Sequence, residues 1–357
     1  MEFLKLTDNK QMRMTRIEIY IAIISALILA SCTPKESDGE MIYHFNSGEI
    51  FHTSYHIKYE YGRSLEEEIL AELDRFEYSL NPFKENTIIT KVNRNEPVEL
   101  DSFFIDVFSK AMEVSRTTGG KFDITASPLI NAWGFGFKNM DSVTPQMIDS
   151  LKEFVGYEKI FIDANGQIQK TDPRVEINPS AISKGYSCDV VARLFDSFGI
   201  KNYMVEIGGE IVARGINDKG ECWRIGIDKP INDSSGMSRD LQEVLSLCDK
   251  ALATSGNYRN YYLKDGKMYA HTIDLQTGYP SEQDLLSVTV IADDCMTADA
   301  YATAFMAAGM EKSKEIAESI PGLYYYFFYA KPDNGIGISY SEGFEQFFVD
   351  KNRQLDE

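Results

Sequence analysis

From Ile42 to Tyr59, aromatic or branched residues alternate with polar ones, the period of two that a half-buried strand requires, so the stretch predicts a hairpin or a pair of strands. The period then lengthens. Leu65, Ile69, Leu73 and Phe76 recur at helical spacing within Ser64–Ser79, with Ser64 as the expected N-cap and Glu66 to Glu68 in the first turn. The helical pattern returns over Asp101–Thr118, stopped by Gly119-Gly120, and over Thr144–Val155, with Pro145 in its first turn. Short strands are expected near Lys159–Ile162, Gln167–Lys170 and Val175–Ile177, followed by a helix over Ser183–Phe198 with Val190, Val191, Leu194, Phe195 and Phe198 facing a core. Further strands follow in "NYMVEIGGEIVARG", "WRIGIDKP", "LATSGNYRNYYLKDGKMYAHTIDLQTG" and "LLSVTVIADD", the last leading into a helix that begins "CMTADAYATAF". Strands and helices interleave without a strict βαβ rhythm, which favours an α+β fold over a doubly wound parallel sheet.

Before these elements, Lys5, Lys10, Arg13 and Arg16 precede an apolar run from Ile19 to Ala30 that is short for a membrane span. It ends in "LASC", Leu29 to Cys32, which resembles the lipobox of bacterial lipoproteins. Residues 1–31 are thus expected to be a lipoprotein signal peptide and Cys32 the acylated first residue. The polar segment "TPKESDGE" belongs to a tether over 32–41, and a domain over 42–350 is followed by a short tail, 351–357. The expected address is the periplasmic side of a membrane in a bacterial cell envelope. The net charge of −19 excludes a nucleic-acid surface, since phosphate backbones require clustered cations. The remaining cysteines, Cys188, Cys222, Cys248 and Cys295, show no CxxC spacing; one bridge is open to them in an oxidising compartment, and the sequence does not choose it.

Several stretches hold more polar residues and glycines than packing needs. Asp299 and Thr303 stand one helical turn apart on an otherwise apolar face, a carboxylate and a hydroxyl that suit Mg²⁺, although a Thr bonding its own helix carbonyl would explain Thr303 equally well. In "INPSAISKGYSCD", a Pro-containing loop enters a helix with Lys184 in the first turn, a site for an anion or an ordinary helix start. In "GGKFDITASPLINAWGFG", glycines and aromatics surround Asp123, suited either to a flat ligand or to a turn-rich core segment. His271 and Asp274 in "HTIDLQTGYP" form a pair that could orient an imidazole or serve the turn alone. Neither GxGxxG nor GxxxxGK[ST] occurs, so neither a Rossmann nor a P-loop site is supported.

The order of these stretches, "FHTSYH", "SLNPFKENTIITKVN", "GGKFDITASPLINAWGFG", "NPSAISKGYSCD", "VEIGGE", "TSGNY", "HTIDLQTGYP" and "TADAYATA", resembles the ApbE family of FAD:protein FMN transferases. The resemblance implies a T-fold-related α+β fold, mixed sheets and helices in two closely joined lobes with a flavin cleft between them. It implies Mg²⁺-dependent transfer of FMN from FAD, the substrate, to a Thr or Ser hydroxyl of an acceptor flavoprotein, with release of AMP. The expected acceptor is a membrane electron-transfer subunit. FAD pyrophosphatase action and non-catalytic flavin binding are the alternatives. By the same resemblance Phe51, Phe83, Lys121, Phe122, Asp123, Asn178, Lys184 and Ile273 contact FAD, while Ala181 (through its carbonyl), Asp299 and Thr303 hold the metal. His271 and Asp299 are the two candidates for handling the proton. Phe51 stands where Met is usual in the family, and Asn178 where Asp is common.

Overall fold

The computed structural model describes residues 42–134, 143–230, 241–256, 261–264, 267–270, 273–280, 284–332 and 335–349. Cys32 with its leader and tether, and His271, lie outside the described residues. Tyr43–Glu60 and Ser64–Glu357 form one compact unit; Met1–Ile42 with Tyr61–Arg63 forms another, almost wholly outside the described residues.

Among the described residues, eight strands make one sheet: β1 (Ile42–Ile50), β2 (Thr53–Tyr61), β3 (Tyr203–Ile207), β4 (Glu210–Arg214), β5 (Lys250–Gly256), β6 (Leu285–Ala292), β7 (Tyr324–Ala330) and β8 (Ile336–Tyr340). They lie side by side in chain order, and every pair from β2 to β8 is antiparallel. Helices enter as insertions into this meander, which is why no βαβ rhythm is visible and the class is α+β, as expected. Between β2 and β3 come α1 (Glu66–Leu80), α2 (Ile88–Asn93), α3 (Ser102–Thr117), α4 (Ser127–Ala132), α5 (Pro145–Lys152) and α6 (Ser183–Ser197); between β6 and β7 come α7 (Cys295–Ala308) and α8 (Met310–Glu318).

The sheet is covered on both faces. α6 packs on β3 and β4, α7 packs on β5 and β6, and the two helices pack on each other. Val288 and Val290 of β6 join Phe76, Phe104, Tyr186 and Phe305 in this core. On the opposite face, Ile211, Leu252, Ile291 and Phe328 meet Trp223, Ile225 and Leu245 of a two-stranded sheet, Trp223–Asp228 with Leu241–Leu247. A Cys222–Cys248 disulfide ties this sheet at one end, while Cys188 and Cys295 are free and buried.

The α6–α7 contact is unusually close, and particular residues permit it. A Cβ on Gly185 would stand 2.3 Å from the Cys295 carbonyl oxygen and 2.7 Å from Asp299 Cβ, so only glycine fits there. Ala298, Ala300, Ala302 and Ala304 of α7 are all buried, so the helix carries little bulk. Asp189 of α6 then caps its neighbour: its two carboxylate oxygens accept the N–H groups of Cys295 (2.9 Å) and Met296 (2.7 Å), donors that a helix start leaves unpaired.

Two expectations change. Val175–Ile177 is not a strand: Asn93 of α2 accepts the Ile177 N–H (2.8 Å) and donates to its carbonyl (2.9 Å), so a side chain takes the place of a ladder partner. Ser64 is not the N-cap of α1; Leu65 is, and its N–H goes to the Tyr59 hydroxyl at 2.6 Å. β7, "YYYFFYA", escapes a period-two reading because both of its faces are covered and the run is continuously aromatic.

Candidate active site

The β1–β2 turn consists of Phe51 and His52, with φ of 53° and 60°. Two-residue hairpin turns favour positive φ at both positions, usually met by Asn or Gly. A bulky Phe held there is uncommon, and such residues gather at functional sites. The Phe51 ring meets Phe76 of α1 at 5.4 Å and forms one wall of a cavity of about 210 Å³. Phe83 is among the other lining residues; it is 51% exposed, and its loop is set by the Asn81 side chain, which accepts the Phe83 N–H at 2.8 Å. Lys184 and Ser183, at the entry to α6, line the same cavity.

Behind Lys184 the site becomes charged. Its ammonium pairs with Glu210, the first residue of β4, which is 2% exposed. Asp299, 3% exposed, accepts the Gly185 N–H at 2.9 Å. One turn further along α7, the Thr303 hydroxyl lies 3.5 Å from the Ala181 carbonyl, to which it donates, and 3.3 Å from Ser255 Oγ at the end of β5. Asp299 and Thr303 therefore both reach the Ala181–Gly185 entry into α6. Burial pushes the Asp299 carboxyl up, against the opposing pull of Lys184 and the Gly185 N–H. Glu210 is raised by burial as well, with Lys184 opposing. For Lys184 burial acts to lower the value, but Asp299 and Glu210 together outweigh it and hold the ammonium charged.

Residues 51–327 match the ApbE family. The chain belongs to that family. It is 34% identical over 342 residues to the FAD:protein FMN transferase of Haemophilus influenzae, covering 91% of this chain and 96% of that protein. To the corresponding protein of Vibrio cholerae it is 36% identical over 340 residues, covering 92% and 98%. The solved structure of the flavin transferase ApbE from Vibrio cholerae superposes with a TM-score of 0.75 at 32% identity, over 86% of this chain and 100% of that one.

Within this ApbE family member the expected site residues fall into two groups. Phe51, Phe83, Lys184, Ala181, Asp299 and Thr303 line the cavity or the polar cluster behind it. Asn178 precedes that cluster and shapes it: its Oδ1 accepts the N–H (3.0 Å) and hydroxyl (2.6 Å) of Ser180, setting the loop that presents the Ala181 carbonyl. Lys121, Phe122, Asp123 and Ile273 form the second group. Phe122 is buried in the main core. Asp123 accepts the Thr125 N–H, the Thr125 hydroxyl and the Tyr157 N–H, each at 2.7 Å, bracing its own loop. Lys121 pairs with Asp274 at 3.1 Å, and Ile273 packs with Leu129, Ile148 and Val155, so the loop and the Ile273–Asp274 strand are joined. Asp274 is thus engaged by Lys121 and by the Gln276 N–H (2.8 Å).

Glu210 and Ser255 were legible only as parts of "VEIGGE" and "TSGNY". A carboxylate directly after a glycine pair at a strand start was the available signal. Among the described residues no group of three or more His, Cys, Asp or Glu side chains could hold a metal; the cluster instead combines a carboxylate with hydroxyls and a carbonyl.

Proposed function

We propose that this protein transfers FMN from FAD to a Thr or Ser hydroxyl of an acceptor flavoprotein, releasing AMP. The observation that carries the reading is the junction of an aromatic cavity with a charged floor, the two environments that the ends of a flavin phosphate demand. The isoalloxazine occupies the space between Phe51 and Phe83, where stacking and apolar burial hold it. Lys184, at the head of α6, binds the pyrophosphate, aided by the helix N-terminus.

Mg²⁺ fits the residues behind it. The Ala181 carbonyl, Asp299 and Thr303 would supply the all-oxygen donor set such an ion takes. When bound, the ion supplies charge neutralisation on the pyrophosphate. The acceptor oxygen attacks the flavin-side phosphorus, the bridging P–O bond breaks, and AMP leaves. Catalysis is then chiefly placement of charge and reactants, which Lys184, Asn178 and the α6–α7 contact provide. His271 and Asp299 are the candidates for taking the hydroxyl proton.

The same proposal places the protein on the periplasmic side of the envelope, anchored through Cys32 and acting on a membrane electron-transfer subunit. The Cys222–Cys248 disulfide supports an oxidising compartment. The test is incubation with FAD, MgCl₂ and candidate acceptors. A mass gain on the acceptor equal to FMN, with one AMP per acceptor, is expected. Steady AMP release without labelling would replace transfer by FAD hydrolysis, and tight FAD binding without turnover would leave a binding protein.

A further inference from the structure

Glu210 has no assigned role in the reading above, and stability does not explain its position. One carboxylate oxygen pairs with Lys184; the other, Oε2, is buried and accepts no hydrogen bond among the described residues. An unsatisfied buried acceptor is costly, and more so when charged. The surrounding backbone is shaped to admit this pair. Gly208, with φ +68°, lies where a Cβ would stand 3.2 Å from Lys184 Cδ, 3.3 Å from Glu210 Oε2 and 3.1 Å from Thr53 Cγ2. The lysine stem and the glutamate thus cross a turn that has no side chain of its own. On the far side, Gly185 N–H holds Asp299.

We propose that Glu210 is a positioning residue: it anchors the Lys184 ammonium at the junction of the aromatic cavity and the Asp299–Thr303 cluster, so that an entering pyrophosphate meets a charge already in place. A free lysine side chain samples many rotamers. Glu210 removes that freedom before substrate arrives, and a charge misplaced by about 1 Å is enough to lose about 100-fold in rate. The inference rests on the FMN-transfer reading.

The test uses Glu210→Gln, Glu210→Asp, Lys184→Met and the Glu210→Gln/Lys184→Met double variant. Three readouts are taken: FMN transfer, FAD affinity by flavin fluorescence in EDTA, and Tm. Glu210→Gln should lose about 100-fold in kcat while FAD affinity changes by less than about fivefold, since the cavity still holds the ring. Its Tm should fall only modestly, because Asp299 still faces the ammonium that Glu210 leaves behind. Glu210→Asp, which keeps the charge, should recover about tenfold of the loss. In the Lys184→Met background Glu210→Gln should add less than about threefold, because its effect runs through the lysine. Parent-level turnover in Glu210→Gln, an undiminished loss in the Lys184→Met background, or a turnover loss that tracks a large fall in Tm would each overturn the inference. If the parent itself labels no acceptor, the transfer reading falls and the inference with it; if the parent transfers and Glu210→Gln matches it, only the inference falls.

Discussion

At the rim of the cavity Phe51 sits on a two-residue turn and Phe83 on a half-exposed loop; at the floor Lys184, Asp299 and Thr303 stand on two helices pressed together at Gly185. The rim offers apolar area, and area is supplied by any large apolar side chain of suitable shape. The floor acts through charge, and charge in a water-poor site depends steeply on placement. On the FMN-transfer reading the rim should therefore tolerate a change of residue, whereas the floor should tolerate little change even in the residues that merely space it.

The largest expected effect is at the floor. Asp299→Ala should lower FMN transfer by about 10³-fold, roughly 4 kcal/mol, with FAD still bound by the rim; a transfer rate within tenfold of the parent would place the decisive charge elsewhere. Gly185→Val inserts atoms into a contact where even a Cβ lies 2.3 Å from a backbone oxygen, so it should destabilise by about 3 kcal/mol or more and lower the urea midpoint. An unchanged midpoint would mean that α6 and α7 separate freely.

Asp189 tests the same contact through pH. Burial, then the Asp294 charge, raise it from 3.8 to about 7, against the two N–H groups it accepts. The folded state thus holds this proton more tightly than the unfolded state. Its contribution to stability is full below about pH 4 and is lost as the pH rises towards 7. Relative to Asp189→Asn, the parent should lose about 4 kcal/mol between those limits. A difference that is flat with pH would show the cap to be ionised throughout. The smallest effect belongs to the rim: Phe51→Met should leave FAD affinity within about threefold, and a larger loss would show the turn, with its φ of 53°, to be as exacting as the floor.

Much of the fold was legible because period and punctuation carried it. α3 begins at its Asp101 cap and ends before Gly119, and α5 begins after its Thr144 cap with Pro145. What stayed hidden depended on partners distant in sequence. Asn93 replaces a strand at Ile177, and nothing near Ile177 announces it. β7 is continuously aromatic, so alternation could not find it. Within the site, Asp299 and Thr303 were conspicuous as polar atoms on an apolar helix, whereas Glu210 looked like any charged residue after a turn.

The sequence by itself determined the element types over most of the chain, the α+β class, the family and the identity of the polar residues on α7, because these rest on local period and on ordered motifs. Only the tertiary structure decided which of those residues share a site. Lys184 and Glu210 are 26 positions apart, and Asp299 and Gly185 are 114 apart. The Cys222–Cys248 pairing was likewise settled there. Proximity of this kind depends on how closely two helices and two hairpin turns approach, which Gly185 and Gly208 allow through atoms that are absent; a missing side chain acquires meaning only when its neighbours are in place.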